Sequence, residues 1–511
     1  MIAQREIEII RQMDTPRFVV TFMRSQTTGE TEISLEGKTA GRHLARHQQV
    51  NILDEDGRLL ESRKIDDRIA NFVFDNFLQR GDTESFQIFQ SDLESGKLLP
   101  RKALATTAKQ VRHQLTDAER SFTANGEKLW LHQPIFEKYA ATGFGSIIRA
   151  TLTNHQVCSS NCQFCSTISR NRKDSVSLQE AKDFVDQLYF GQAEYNRTHF
   201  PEYNEAYKKA TGSDIRLRGL ILSGGGQPNL WPHFTEFVDY LSGLDISLGL
   251  ITNGFPKKVP DEIYRHFDWI RISITPESAS PFYPGGRFDR QYIPPTIIRN
   301  PDLTVGYSYV FGPWTNDDIL RRIAESIDQY GFEYCRTLAD CNLTRDAQLT
   351  AHRELAERLF RLGLIDEDGN PTGKIFHQLK YHGTKAEADI IWENGQCYLQ
   401  TYSVFWDTTG HEENGHSFCY PCDSVTVLTD NSEDGSITTA ERKFNHQKWG
   451  TVKNTEVNCL FSEPVHPFFD PRKVCTSCLF MKNNQVVKDI ISSPPSKVSR
   501  IPSRIKHINF P

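Results

Sequence analysis

Short apolar segments alternate with amphipathic segments between about residues 145 and 335. The apolar segments that we predict as strands are 146–153, 218–222, 246–251, 269–274 and 304–311. Segment 177–190 is predicted as a helix, because its apolar residues fall on one face and Ser177 and Glu180 can form a capping box. Short strands separated by helices predict a parallel α/β sheet, closed or partly closed into a barrel. Candidate chemistry is therefore expected at the C-terminal ends of these strands.

The pattern divides the chain into five parts. We predict an N-terminal α+β domain, a barrel, a helical linker, a cysteine-rich domain and a basic tail, with bounds 1–140, 141–345, 346–396, 397–485 and 486–511. Within the first part, 17–23 is predicted as a strand and 66–81 as an amphipathic helix. The cysteine-rich part is rich in loops, so a bound metal could stabilise it.

Composition and charge exclude several classes of protein. The chain has 511 residues, of which 38% are hydrophobic and 24% charged, as expected for a globular protein with a large core. The net charge of −6 argues against a protein that mainly binds nucleic acid phosphates. Because the sequence contains neither a long apolar run nor a secretory signal, we expect a cytoplasmic protein with no membrane span.

The cysteines are unevenly distributed. The chain has 11, and none lies in the first 157 residues. Cys158, Cys162 and Cys165 follow the first predicted barrel strand with C-x3-C-x2-C spacing. Three thiolates so close together can hold three corners of a [4Fe–4S] cluster and leave one iron open. The alternatives are a zinc site that borrows a fourth ligand such as His155, or three unconnected thiols.

Four motifs in order along the barrel resemble the radical S-adenosylmethionine (radical SAM) superfamily. Phe164 completes the family's C-x3-C-x-aromatic-C signature, and SGGGQP (223–228) after the second strand is similar to its glycine-rich segment. ITNGF (251–255) follows the third strand, and the fourth presents Ser273. The resemblance covers about residues 145–335. One departure is Gln227, where the family often has a glutamate that pairs with the ligand ammonium group.

The resemblance implies a partial (β/α)6 barrel of the TIM type and an enzyme that reductively cleaves S-adenosylmethionine. The resulting 5′-deoxyadenosyl radical would abstract a hydrogen atom from the substrate. The implied cluster ligands are Cys158, Cys162 and Cys165. The residues implied to line S-adenosylmethionine are Phe164, Gly224, Gly225, Gly226, Gln227 and Ser273. A flavodoxin- or ferredoxin-type protein would supply the electron.

A second group of cysteines lies beyond the barrel. Its two C-x2-C pairs are Cys419 with Cys422 and Cys475 with Cys478. Four thiolates suit either zinc or an auxiliary [4Fe–4S] cluster. The order partly resembles the SPASM and twitch extensions of radical SAM enzymes, which favours the auxiliary cluster. Further candidate ligands are Cys397 and Cys459, whereas Cys335 and Cys341 are predicted as buried thiols.

Three functions fit these features. We favour slightly a radical SAM enzyme that modifies a peptide or protein, because SPASM-type extensions often accompany such substrates. The alternative is a radical SAM enzyme that acts on a sugar, nucleotide or amino acid in natural-product biosynthesis. The third hypothesis, a non-catalytic iron–sulfur or zinc protein, does not account for the glycine segment or the open iron. The sequence identifies neither the reaction nor the catalytic residues.

Overall fold

The computed structural model describes two compact units, within Met1–Gln114 and Leu115–Pro511. The described residues are 7–14, 18–25, 31–37, 42–46, 49–53, 59–64, 121–123, 126–160, 162, 164–165, 167, 171–254, 259–274, 297, 300, 302–340, 343, 345–367, 369–377, 383–384, 396–421, 452–465, 471, 477–478, 480–492 and 506–511. Among these residues, no helix is long and apolar enough to cross a membrane.

The first unit contains an antiparallel sheet of six strands. They are β1 (Ile7–Asp14), β2 (Phe18–Ser25), β3 (Thr31–Gly37), β4 (Arg42–Arg46), β5 (Gln49–Leu53) and β6 (Leu59–Lys64). Each strand pairs with the next along the chain, as in a meander. The strand predicted at 17–23 is confirmed, whereas the helix predicted at 66–81 lies outside the described residues.

The second unit is built on a sheet of ten described strands. They are β7 (Arg149–Thr153), β8 (Gly219–Ser223), β9 (Ser247–Thr252), β10 (Trp269–Ile274), β11 (Thr304–Phe311), β12 (Tyr334–Ala339), β13 (Ile375–His377), β15 (Ser403–Asp407), β16 (Phe418–Tyr420) and β17 (Val452–Lys453). Their order is β13-β12-β11-β10-β9-β8-β7-β15-β16-β17. The eight from β13 to β15 are parallel, and the last two are antiparallel. The predicted parallel α/β fold is confirmed. A separate two-stranded ladder joins β14 (Gly383–Thr384) to β18 (Ser477–Cys478).

Helices precede, connect and follow the strands of this sheet. They are α1 (Gln133–Thr142), α2 (Leu178–Asp186), α3 (Gln192–His199), α4 (Pro201–Thr211), α5 (Phe234–Ser242), α6 (Asp317–Tyr330), α7 (Arg345–Arg361), α8 (His411–Asn414), α9 (Cys459–Ser462) and α10 (Met481–Ser492). The predicted capping box starts α2, where the Glu180 backbone N–H donates to Ser177 Oγ and the Ser177 N–H donates to the Glu180 carboxylate. Satisfying these otherwise unpaired groups determines where α2 begins.

Strand β15 brings the region beyond residue 397 into the barrel sheet. It pairs in parallel with β7 over Ser403–Trp406. Trp406 is fully buried, and the centroid of its ring lies 4.5 Å from the ring centroid of Phe184 on α2. The cysteine-rich region therefore begins with a strand that shares the hydrophobic core of the barrel.

Residues 506–511 pack against the N-terminal ends of the barrel strands. The Phe510 ring contacts the Trp269 ring edge-on at 5.4 Å, and Arg149 Nη1 donates to the Pro511 carbonyl oxygen at 3.0 Å. Lys128 Nζ donates to carbonyl oxygens of Ser121 and Phe510 at 2.9 and 3.4 Å. These side chains therefore cover the N-terminal end of the barrel, which is the end opposite the cysteine loop.

Buried Lys128 predicts a pH-dependent stability. Burial, and then the charges of Arg149 and Arg271, lower its pKa from 10.5 to about 7. Between these values the unfolded chain binds the proton and the folded chain does not, so stability rises with pH from about 7 to 10.5. Lys128→Met should reduce the slope of unfolding free energy against pH by about 1.4 kcal/mol per pH unit. The slope is measured by urea unfolding at several pH values. Lys209→Met, which removes an exposed lysine, is the control and should keep the wild-type slope. An unaltered slope in the Lys128 variant would contradict the prediction.

Candidate cluster and S-adenosylmethionine site

The three closely spaced cysteines lie in the loop that leaves the C-terminal end of β7. Cys158, Cys162 and Cys165 are each half-buried. The Cys165 N–H donates to the Cys162 carbonyl oxygen at 3.1 Å, which tightens the loop between them. The Ser160 N–H lies 3.4 Å from Cys158 Sγ, within hydrogen-bonding distance of sulfur. The loop thus presents soft donor atoms at the end of the sheet where parallel α/β enzymes carry their sites.

The glycine segment after β8 supports this loop from one side. The Gly226 and Gln227 N–H groups donate to the carbonyl oxygens of His155 and Val157 at 3.2 and 2.7 Å. His155 Nε2 hydrogen-bonds in return to the Gln227 carbonyl oxygen at 2.7 Å. These contacts attach the cysteine loop to the segment after the neighbouring strand through two main-chain hydrogen bonds and one from the His155 ring.

Close contact between the two loops accounts for two of the glycines. A Cβ at Gly226 would lie 2.4 Å from the Val157 oxygen and 2.7 Å from the His155 oxygen. A Cβ at Gly225 would overlap the side-chain amide of Gln156 at 1.7 Å. The resemblance implies that these glycines line S-adenosylmethionine, where the absence of a side chain would let the main chain approach the ligand closely. The structure adds a second reason, because the cysteine loop itself occupies the space that a side chain would need.

The turn after β9 supports the cysteine loop from the other side. Asn253 Nδ2 donates to Ser159 Oγ at 3.0 Å and to Ser160 Oγ at 2.9 Å, between the first two cysteines. The Asn253 N–H donates to Gln227 Oε1 at 2.9 Å, and Gln227 Nε2 donates to Asn229 and Thr252. The ends of β7, β8 and β9 are therefore joined by one hydrogen-bond network in which the Gln227 amide takes part.

Phe164 lies in the cysteine loop and reaches residues that follow β11, whereas Ser273 lies near the C-terminal end of β10. The Phe164 ring contacts the Trp314 ring, which follows β11, at 5.3 Å between centroids. Ser273 on β10 pairs in register with Ser308 on β11, and Arg336 Nη2 from β12 donates to Ser308 Oγ at 3.3 Å. Aromatic and polar groups from β10 to β12 thus follow the cysteine loop along the same end of the sheet.

The donor set fits an iron–sulfur cluster better than a single metal ion. In a cuboidal cluster each thiolate binds its own iron, so the thiolates need not converge on one point. In the described part of the chain, no three His, Cys, Asp or Glu side chains converge as a mononuclear site requires. His155, the suggested fourth zinc ligand, is buried; burial lowers its pKa, and its Nε2 is engaged by Gln227.

Several solved structures are similar to this chain at low identity. SuiB from Streptococcus suis, bound to S-adenosylmethionine, is 11% identical, with 83% of this chain and 86% of SuiB covered and a TM-score of 0.40. BtrN in complex with AdoMet and 2-DOIA is 10% identical, with 68% and 91% covered and a TM-score of 0.28. Methylornithine synthase (PylB) is 11% identical, with 53% and 85% covered and a TM-score of 0.26. No protein-family model matches the chain, and no curated protein matches it.

These solved proteins are radical SAM enzymes. Their TM-scores stay below 0.5, so the fold assignment rests on the strand order and loop positions of this chain. A parallel sheet with the cysteine loop after its first strand, the glycine segment after the second and Thr-Asn-Gly after the third is the arrangement that the sequence resemblance implied. The chain therefore has a parallel α/β sheet whose C-terminal strand ends carry these three loops in the expected order.

Beyond the barrel, the structure places the second group of cysteines unevenly. Cys419 lies on β16 opposite Trp406 and is buried in the hydrophobic core. Burial raises its pKa well above the usual range, and the Cys459 thiol is close enough to raise it further. Cys459 is half-buried, with its pKa raised to about 11. Thus Cys419 and Cys459 come together, which the spacing of the C-x2-C pairs had not suggested.

The other predicted cysteines fall in different places. Cys478 is on β18, where its backbone pairs with Gly383, while Cys422 and Cys475 lie outside the described residues. Cys397 is buried in a second hydrophobic cluster away from Cys419. Cys335 is fully buried, as predicted for a core thiol, and Cys341 lies outside the described residues.

The loop after β15 is attached to the cysteine loop that follows β7. Gln156 Nε2 donates to Thr408 Oγ1 at 3.0 Å, next to Val157 and Cys158. The Asp174 carboxylate accepts from the Gly410 and Glu412 N–H groups at 2.9 and 3.0 Å. The two cysteine-bearing regions are therefore mechanically linked.

Sequence patterns did not identify Gln156, Asp174 or Asn253 as parts of this site. Each is a polar residue in a loop, which is ordinary in any globular protein. For Asn253 a signal existed, since it is the centre of the Thr-Asn-Gly turn. Its partners in the cysteine loop could not be inferred, because they lie about 90 residues away in the chain.

Proposed function

We propose that this chain is a radical SAM enzyme. Cys158, Cys162 and Cys165 hold a [4Fe–4S] cluster whose fourth iron is open to S-adenosylmethionine. The observation that carries the proposal is the attachment of this cysteine loop to the glycine segment and to Asn253 at the C-terminal ends of β7, β8 and β9. When both groups are bound, they supply a 5′-deoxyadenosyl radical that abstracts a hydrogen atom from the substrate.

The protein contributes ligands, orientation and shielding. Three thiolates leave one iron without a protein ligand, as a catalytic metal site requires. The main-chain hydrogen bonds of Gly226 and Gln227 hold the glycine segment, which would line the methionine end of the ligand. The Phe164 and Trp314 rings pack together and would form an apolar wall beside the adenine, and Ser273 would supply a hydroxyl at the polar end. An apolar wall also keeps water away from a reactive intermediate.

For the substrate we propose a peptide or protein. The support is the cysteine-rich extension after the barrel: its strand β15 pairs with β7, and the following loop contacts Gln156 next to the cysteines. SuiB has been solved with its precursor peptide SuiA, which is a property of SuiB. The extension would hold an auxiliary [4Fe–4S] cluster able to accept an electron from a substrate radical, with zinc as the alternative metal. A small sugar, nucleotide or amino acid is the alternative substrate.

Metal analysis and a cleavage assay test the proposal. Anaerobically reconstituted protein is assayed for iron, sulfide and zinc, then mixed with dithionite and S-adenosylmethionine and examined for 5′-deoxyadenosine. About eight irons with 5′-deoxyadenosine would support both clusters, since each cubane holds four. About four irons together with zinc would support the radical enzyme and would indicate that the extension holds a structural zinc ion. Intact protein that binds no iron–sulfur cluster would refute the proposal.

Substrate class is tested separately. Short peptides encoded beside the gene are incubated with active enzyme and a flavodoxin or ferredoxin donor, and their masses are followed. A mass change that needs S-adenosylmethionine supports the peptide proposal. Turnover of a small molecule made by neighbouring glycosyltransferases or aminotransferases, with every peptide unchanged, would support the alternative.

A further inference from the structure

We infer that Asn253 is a positioning residue that tunes the reduction potential of the cluster. It acts by orienting Ser160, whose backbone N–H donates to Cys158 Sγ. This inference rests on the proposed function, since it concerns the cluster that Cys158 would hold. Asn253 Nδ2 donates to the hydroxyls of Ser159 and Ser160, and the Ser160 N–H points at Cys158 Sγ from 3.4 Å. The amide therefore acts on the sulfur through one intervening residue.

The geometry around Asn253 leaves little freedom. Ser160 is 2% exposed and Asn253 is 8% exposed. The Asn253 backbone is held by Gln227 Oε1, and Gln227 is itself buried and bonded to Asn229 and Thr252. Because each partner is fixed by another strand, the amide can determine where the Ser160 N–H points. A rigid support of this kind is what holds ligands in a productive geometry.

The expected electronic effect follows from charge. An N–H group that donates to a cluster thiolate withdraws electron density from sulfur and stabilises the more negative, reduced cluster. Removing the Asn253 amide removes its hydrogen bonds to the Ser159 and Ser160 hydroxyls, so the Ser160 N–H points less directly at Cys158. The cluster then becomes harder to reduce, although all three cysteines remain.

Two variants and one control separate tuning from folding. Asn253→Ala removes the amide. Asn253→Asp keeps its size, replaces the donor by an acceptor and adds a negative charge. Asn370→Ala is the matched control, because it deletes a side-chain amide that donates to Asp366 in a surface turn far along the chain from the cysteine loop. The reconstituted full-length proteins are titrated by electron paramagnetic resonance without substrate, and iron content and thermal midpoint are recorded for each.

We expect both Asn253 variants to retain the barrel cluster and to be reduced less readily. At the potential where the wild-type cluster is half reduced, the ratio of reduced to oxidised cluster should fall about tenfold, a shift of about 59 mV for a one-electron couple. The Asn370 variant should match the wild type. The Asp variant should show at least as large a shift as the Ala variant, because its charge opposes added electron density.

The outcomes distinguish this inference from the proposed function. Wild-type potentials in both Asn253 variants would overturn the inference while leaving the radical enzyme intact. Loss of iron from both variants would also overturn it, in favour of a purely structural role. If the wild type itself assembles no cluster and produces no 5′-deoxyadenosine, the proposed function is refuted, and the inference about Asn253 is refuted with it.

Discussion

Cys162→Ala is expected to abolish cleavage of S-adenosylmethionine. Cys162 is the central thiol of the loop, and its carbonyl oxygen accepts from the Cys165 N–H. With only two thiolates, the loop cannot hold a cluster with a single open iron. The measurement is 5′-deoxyadenosine formed per chain under dithionite, together with iron content. We expect at least about a thousandfold less product, since removal of a metal ligand eliminates the reactive centre and does not merely weaken it.

A second cysteine provides the matched control for this variant. Cys335 is fully buried on β12 and contributes to the barrel core. Cys335→Ala should keep both iron and cleavage, with a loss of stability of about 1 kcal/mol from the small cavity. Normal iron content and retained cleavage in Cys162→Ala would show that this loop does not hold the catalytic cluster.

Gly226→Ala is expected to detach the cysteine loop from the sheet. The added Cβ would meet the main-chain oxygens of Val157 and His155, and main-chain atoms cannot move aside as the end of a side chain can. Overpacking of this kind costs about 1–3 kcal/mol or more. Because the main chain of Val157 leads directly into Cys158, its displacement would move that thiol. We therefore expect the iron content of the barrel cluster to fall at least about tenfold, which corresponds to 1.4 kcal/mol.

Gly243→Ala is the control for this effect. Gly243 ends α5 with φ −80°, and a Cβ there would lie 3.5 Å from its nearest neighbour, the Tyr240 oxygen. This variant should keep its iron and its thermal midpoint. If Gly226→Ala also kept both, the close docking of the glycine segment on the cysteine loop would not be required for cluster binding.

The local elements of the barrel could be predicted because local physical chemistry determines them. The predicted strands 269–274 and 304–311 coincide with β10 and β11, and the other three begin and end within a few residues of β7, β8 and β9. The capping box at Ser177 starts α2 as expected. Alternation of apolar strands and amphipathic helices depends on neighbours within about four residues, so it can be seen in the sequence.

Pairings across long chain distances could not be predicted. Strand β15 lies beside β7 although about 250 residues separate them, and the apolar segment 403–407 gave no sign of its partner. Residues 506–511 belong to the predicted basic tail, whose position the sequence did not indicate, and Phe510 packs on Trp269 at the N-terminal ends of the strands. Such contacts are selected by shape and by burial in the complete core, which local periodicity does not encode.

The sequence alone determined the chemistry that is available at the site, and the tertiary structure decided how it is held. Residue types and their spacing placed Cys158, Cys162 and Cys165 after a strand, because ligand softness and strand–loop order are local properties. Only the folded chain brings Gly226 and Asn253 onto that loop and places Cys459 beside Cys419. Hydrogen bonds between separate strand ends exist only after the sheet has formed, so their partners depend on the whole fold.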